Sequence, residues 1–177
     1  MKPLLVSLCA SATLFVSTTV VADSGIDAAH PLEGTWTMTQ AYEIHPDGSR
    51  TTNYGEHPIG RLIVDAAGRY SLQIFRPSRP AFASGDKTRG TAEEYRQASV
   101  GSSTHFGRVA VDAGKHQLTF DLQAASFPNW EGKRQVRDYT LDNDVLSYAV
   151  PASASGSGVV AYSVWRRERG PVRAPST

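Results

Sequence analysis

From residue 33 onward, apolar and polar positions alternate with a period of two in short blocks separated by turn residues. Successive side chains of an extended chain point to opposite faces, so this pattern predicts half-buried strands. The first runs over 33–44 and ends at His45-Pro46-Asp47-Gly48; the second covers 59–65. Ala66-Ala67-Gly68 then makes a tight hairpin into a third strand over 69–76. The alternation breaks at Pro77-Ser78-Arg79-Pro80 and Ser84-Gly85-Asp86, a long loop leading to helix formers over 91–98. Thr91 as N-cap with Glu94 three residues later forms a capping box. Strands resume over 105–111 and 117–123, and Phe127 to Gly132 reads as a turn or a single helical turn. A hairpin over 133–141 and 145–150 surrounds Asp142-Asn143-Asp144, a Ser/Ala/Gly loop occupies 151–158, and a last strand covers 159–167.

Eight strands joined mostly by hairpins in sequence order, with one inserted helix, predict an all-β, up-and-down antiparallel barrel. A two-sheet sandwich is the rival, but sandwiches generally need crossovers that this order lacks. In a closed barrel the last strand returns to the first. Trp36, in Gly34-Thr35-Trp36, would then lie near a terminal arginine of Trp165-Arg166-Arg167, with a guanidinium stacked on the indole. Gly34, Trp36 and Arg167 are thus expected to be structural.

The first residues read as an address. Lys2 precedes an uncharged apolar run over 4–21, and Val20-Val21-Ala22 fits a small-residue cleavage site. The expected organisation is a signal peptide over 1–22, one domain over 23–168 and a tail over 169–177, with a periplasmic or secreted destination. Cleavage would remove Cys9, the single cysteine, leaving no thiol chemistry. Without Lys2 the 18 basic residues fall to 17, against 17 acidic ones. A near-neutral balance favours neither nucleic acid nor an anionic membrane. No second apolar span follows, so no membrane span is expected in the mature chain.

Specific catalytic signatures do not occur. His30, His45, His57, His105 and His116 show no metal-ligand spacing, and phosphate loops, dinucleotide fingerprints and serine nucleophile motifs are missing. No cofactor is therefore expected. His105, beside Phe106, is the histidine placed to approach an interior; its alternative is a satisfied core residue. Arg79, stiffened between Pro77 and Pro80, either offers a guanidinium at the barrel mouth or braces its loop. Glu94 and Tyr95 belong either to packing and capping or to proton transfer.

The ordered set Leu32-Glu33-Gly34-Thr35-Trp36, Tyr54-Gly55-Glu56, Gly68-Arg69-Tyr70-Ser71, Phe82-Ala83-Ser84-Gly85-Asp86, Phe106-Gly107, Phe127-Pro128-Asn129-Trp130 and Gln135-Val136-Arg137 spans nearly all the mature chain. It resembles the bacterial and fungal lipocalin-like domain. The resemblance implies an eight-stranded antiparallel lipocalin-like barrel of calycin type, and it implies no particular activity. It also singles out Gln135 and Arg137, which implies that they and Tyr139 face the interior, although an apolar lining would instead turn Val136 inward. An inward Arg137 needs a carboxylate or a bound anion, with Glu94, Asp121 and Asp138 as candidate partners; its alternative is a surface arginine. A histidine common in the family before the Phe-Pro-Asn-Trp turn is absent, since that strand reads Leu118-Thr119-Phe120-Asp121.

Three functions follow as expectations. The first is a carrier for a small hydrophobic or amphipathic molecule, walled by Tyr70, Phe75, Phe106, Phe120 and Tyr139 and anchored by Arg137 or Arg79. The second is an enzyme steering isomerisation, cyclisation or dehydration, with Arg137, Glu94, Tyr95 or His105 moving a proton or stabilising an oxyanion. The third is a protein-binding envelope module working through its loops.

Overall fold

The computed structural model describes residues 29–150 and 158–169; the expected signal peptide, most of the Ser/Ala/Gly loop and the end of the tail lie outside them. The strands are β1 (Gly34–Ile44), β2 (Arg50–Thr51), β3 (Ile59–Val64), β4 (Arg69–Phe75), β5 (Ser102–Asp112), β6 (Gln117–Ala125), β7 (Arg134–Asp142), β8 (Val145–Val150) and β9 (Val160–Arg167). A helix, α1 (Ala92–Val100), precedes β5, and a 3₁₀ turn (Pro128–Trp130) precedes β7. Each neighbouring pair is antiparallel, and β1 also pairs with β9, so eight strands close a ring. β2 is a two-residue extension on β1 that the alternation pattern did not indicate, because Arg50 and Thr51 are both exposed.

Closure rests on the paired ends. Trp36 lies opposite Arg167, whose guanidinium stacks 4.2 Å from the indole centroid. The same guanidinium donates to the carbonyls of Pro31 (2.9 Å) and Glu33, while Trp36 Nε1 donates to Leu32 O at 2.9 Å. Gly34 adopts φ +128°, a conformation side chains rarely take, and this lets the chain turn into β1 beneath Arg167. His30 seals the same end, with its Nε2 3.0 Å from Val109 O. The opposite end carries the longer connections over 45–58, 76–101 and 126–133.

Inward positions build one core from Trp36, Met38, Leu62, Leu72, Leu118, Phe120, Leu122, Leu146 and Trp165, among others. Helix α1 buries none of its residues and lies outside the barrel. Its capping box is formed, with Thr91 Oγ1 accepting from Glu94 N and Glu94 Oε2 accepting from Thr91 N. A bulge between Phe106 and Gly107 shifts the β5–β6 register. A Cβ on Gly107 would lie 2.0 Å from Asp121 O, so the bulge admits only glycine at this position.

Candidate functional site

Alternation along β7 turns Gln135, Arg137 and Tyr139 inward and leaves Val136 exposed, as the resemblance implied. Around them, β4 supplies Tyr70, β5 His105, β6 Phe120, β8 Tyr148 and β9 Ser163 and Trp165, all buried. The interior thus holds a belt of polar and aromatic groups with a guanidinium in it.

Arg137 is only 2% exposed. Its guanidinium carbon lies 4.4 Å from the Phe120 centroid and 5.2 Å from that of Tyr148, so two aromatic faces offset part of its lost hydration. Nη2 donates to Gln135 Oε1 at 2.5 Å. No carboxylate among the described residues pairs with it. Asp121 faces outward and accepts from Arg134 Nε at 2.7 Å. Asp138 is exposed and accepts from Gln117, and Glu94 is committed to its capping box and to Ala83 N. None of the three candidate partners reaches the interior.

Three buried polar atoms in this belt have no hydrogen-bond partner among the described residues: Arg137 Nε, the Tyr148 hydroxyl and Trp165 Nε1. Tyr148 pairs with Ser163 across β8–β9, and Trp165 follows two residues later on the same face. Burial pushes the Tyr148 phenol up and pulls Arg137 down from its ordinary value. The Tyr70 hydroxyl and His105 Nδ1 are 2.9 Å apart. Burial, reinforced by the Arg137 charge, holds His105 down at about 3, and burial raises Tyr70. His105 is therefore neutral, and its Nδ1 shares one hydrogen bond with the Tyr70 hydroxyl. Trp130, on the 3₁₀ turn, meets His105 edge to face at 6.1 Å and packs against the core from the end that carries the longer connections.

Several expected residues lie elsewhere. Phe106 is exposed: on β5 it alternates with His105, so only one of the two can face inward. Phe75 lies on the outer face of β4, opposite in sense to Ile74, and stacks with Arg79 at 4.5 Å. Arg79 Nε donates to Arg76 O at 3.2 Å and its stem packs on Gly101, so it braces its loop. Glu94 and Tyr95 sit on the outer helix, where the Tyr95 hydroxyl accepts from Gly90 N at 3.0 Å. Ser163 and Tyr148 belong to the belt without having been singled out, and Trp165, read before only as part of the closing motif, joins them; alternation from Leu146 to Tyr148 and from Trp165 back to Ser163 carries the signal. Among the described residues no three His, Cys, Asp or Glu side chains gather as a metal site.

The model of the lipocalin-like domain family matches residues 33–168. The chain belongs to the lipocalin-like domain family. One relative, the 4'-hydroxy-3'-methoxypropiophenone carrier protein ppsC of Aspergillus oryzae (strain ATCC 42149 / RIB 40), is 26% identical over 105 residues, 55% of this chain and 95% of the relative. Among solved structures, a lipocalin-like protein from Bacteroides uniformis ATCC 8492 aligns with a TM-score of 0.40 at 12% identity, over 77% of this chain and 98% of its own. In this lipocalin-like chain no described helix is long and apolar enough to cross a membrane.

Proposed function

We propose that the protein is an exported carrier that takes a small amphipathic molecule into its barrel. The observation that carries this reading is the interior belt with its unpaired guanidinium. Buried polar groups are normally hydrogen-bonded and buried charges paired, so orphaned donors in a core call for an acceptor that the chain itself does not supply. A relative named as the carrier of a small aromatic ketone supports the same reading and makes phenols and aryl ketones the first compounds to try. Export rests on the charged start and apolar run over 1–22; a secreted form beginning at Asp23 would support it, and an intact amino terminus in the envelope fraction would refute it.

Binding is favoured over catalysis. A proton-transfer group works best when its pKa lies near ambient pH. His105 is held at about 3 while Tyr70 and Tyr148 are pushed up, so all three keep their protons fixed at neutral pH. The exposed outer residues Ile59, Ile63 and Phe106 favour a second reading, in which a protein partner covers that face of the sheet. N-phenyl-1-naphthylamine, an uncharged dye that fluoresces in apolar surroundings, separates the two. Saturable one-to-one binding, lost when Phe120→Trp fills the interior and kept in Phe106→Ser, is the expected result. Binding lost in Phe106→Ser alone would move the site to the outer face and overturn the carrier reading.

A further inference from the structure

We infer that the ligand is held by an ionised oxygen (a phenolate, carboxylate or enolate on an apolar body) received by Arg137, Tyr148 and Trp165. This rests on the carrier reading and adds the chemistry of the bound end. The contrast between the two ends of the barrel carries it. At the opposite end Arg167 and Trp36 have the same side-chain types; the guanidinium, half-buried where Arg137 is fully buried, finds Pro31 O, Glu33 O and the Asp144 carboxylate, and the buried indole finds Leu32 O. In the belt, Arg137 Nε and Trp165 Nε1 find no backbone acceptor, and the Tyr148 hydroxyl, which the Trp165, Ser163 and Arg137 side chains approach, completes no hydrogen bond. All three can donate. An arginine cannot shed its proton at any ordinary pH, so the belt keeps a full positive charge with no negative one among the described residues.

A neutral ligand would satisfy hydrogen bonds but leave that charge uncompensated; an oxyanion satisfies both. Gln135 Oε1, a neutral acceptor 2.5 Å from Nη2, occupies one arm of the guanidinium fork and is the group an incoming oxygen would replace. The neutral His105–Tyr70 pair adds no charge of either sign to the belt. Protonating that histidine would add a second cation beside Arg137, whereas the neutral pair leaves Arg137 as the single charge facing the ligand. No other ionised group of the described core faces it: Tyr70, Tyr139 and Tyr148 are phenols, and Ser163 and Gln135 are neutral.

The test uses 4-nitrophenol, whose ionised form absorbs visible light, together with decanoate and the uncharged dye N-phenyl-1-naphthylamine. In wild-type protein the ionisation midpoint of bound 4-nitrophenol should fall by about one pH unit or more, equivalent to at least about tenfold preference for the anion. Arg137→Met, which keeps the side-chain volume and removes the charge, should lose the midpoint shift and weaken nitrophenolate or decanoate at least about tenfold more than it weakens the uncharged dye. Displacement of the dye by decanoate but not by nitrophenolate would assign the oxyanion to a carboxylate, and the reverse to a phenolate. Dye binding with an unshifted or raised midpoint and no displacement by decanoate would overturn the oxyanion site while leaving the carrier reading intact. Absence of dye binding in the wild type would remove both. The wild-type midpoint needs no variant, so a misfolded Arg137→Met would not rescue the inference.

Discussion

Arg137 and His105 sit within one core and respond oppositely to losing water. The guanidinium keeps its charge and leans on Phe120 and Tyr148; the imidazole gives its charge up. This has a consequence for stability. The folded His105 titrates at about 3 and the unfolded one near 6.5, so below 6.5 the unfolded chain binds the extra proton. Stability from His105 is complete above 6.5 and declines as pH falls toward 3, by about 1.4 kcal/mol per pH unit. Urea unfolding at a series of pH values should show this decline in the wild type and a flatter profile in His105→Gln; parallel profiles would mean that the folded histidine charges freely. Alternation put Gln135, Arg137 and Tyr139 on one face but left Val136 as an equal candidate for the interior; the family resemblance turned the first three inward, and Tyr70 and Phe120 entered as aromatic walls. Alternation did not separate His105 from Phe106, because adjacent strand residues are both apolar enough to face a core, and only the register of the sheet decides. It also could not show that Asp121 and Asp138 point outward, since pairing across strands is a tertiary property.

Among the elements, most strands were legible to within a residue because their alternation is backed by turn chemistry, although β5 begins three residues before and β6 ends two residues beyond the expected bounds, and α1 was legible because its capping box is local. The short β2 and the β5–β6 bulge were not legible: both depend on which strand lies alongside. The bulge makes a sharp prediction. Gly107→Ala would drive a methyl group into Asp121 O, a backbone atom that cannot swing aside, and should cost more than about 2 kcal/mol in a denaturant titration. Gly114→Ala, in a surface turn with 3.5 Å to its nearest neighbour, should change stability by less than about 0.5 kcal/mol. Equal effects at the two sites would mean that the bulge is not fixed where the register places it. The outer helix should be nearly independent of the barrel: Thr91→Ala removes a cap for about 1 kcal/mol and should leave dye binding unchanged.

At the scale of the molecule, the barrel divides into an end where the Trp36 indole and the Arg167 guanidinium donate to backbone carbonyls and a belt where several polar atoms complete no hydrogen bond. Trp36 belongs to the first. Its truncation to alanine should cost about 3–5 kcal/mol, and a variant melting like the wild type would show that β1 and β9 do not depend on it for closure. Arg137 belongs to the second, and on the carrier reading it is kept for a ligand at the expense of the empty fold. The direct measurement is equilibrium urea unfolding of ligand-free wild type and Arg137→Met. Replacing an unpaired buried charge by an apolar side chain of similar volume is often neutral or stabilising, by up to about 4 kcal/mol. The expected Arg137→Met midpoint lies at or above that of the wild type. A variant destabilised by several kcal/mol would contradict it, making Arg137 a strut of the barrel.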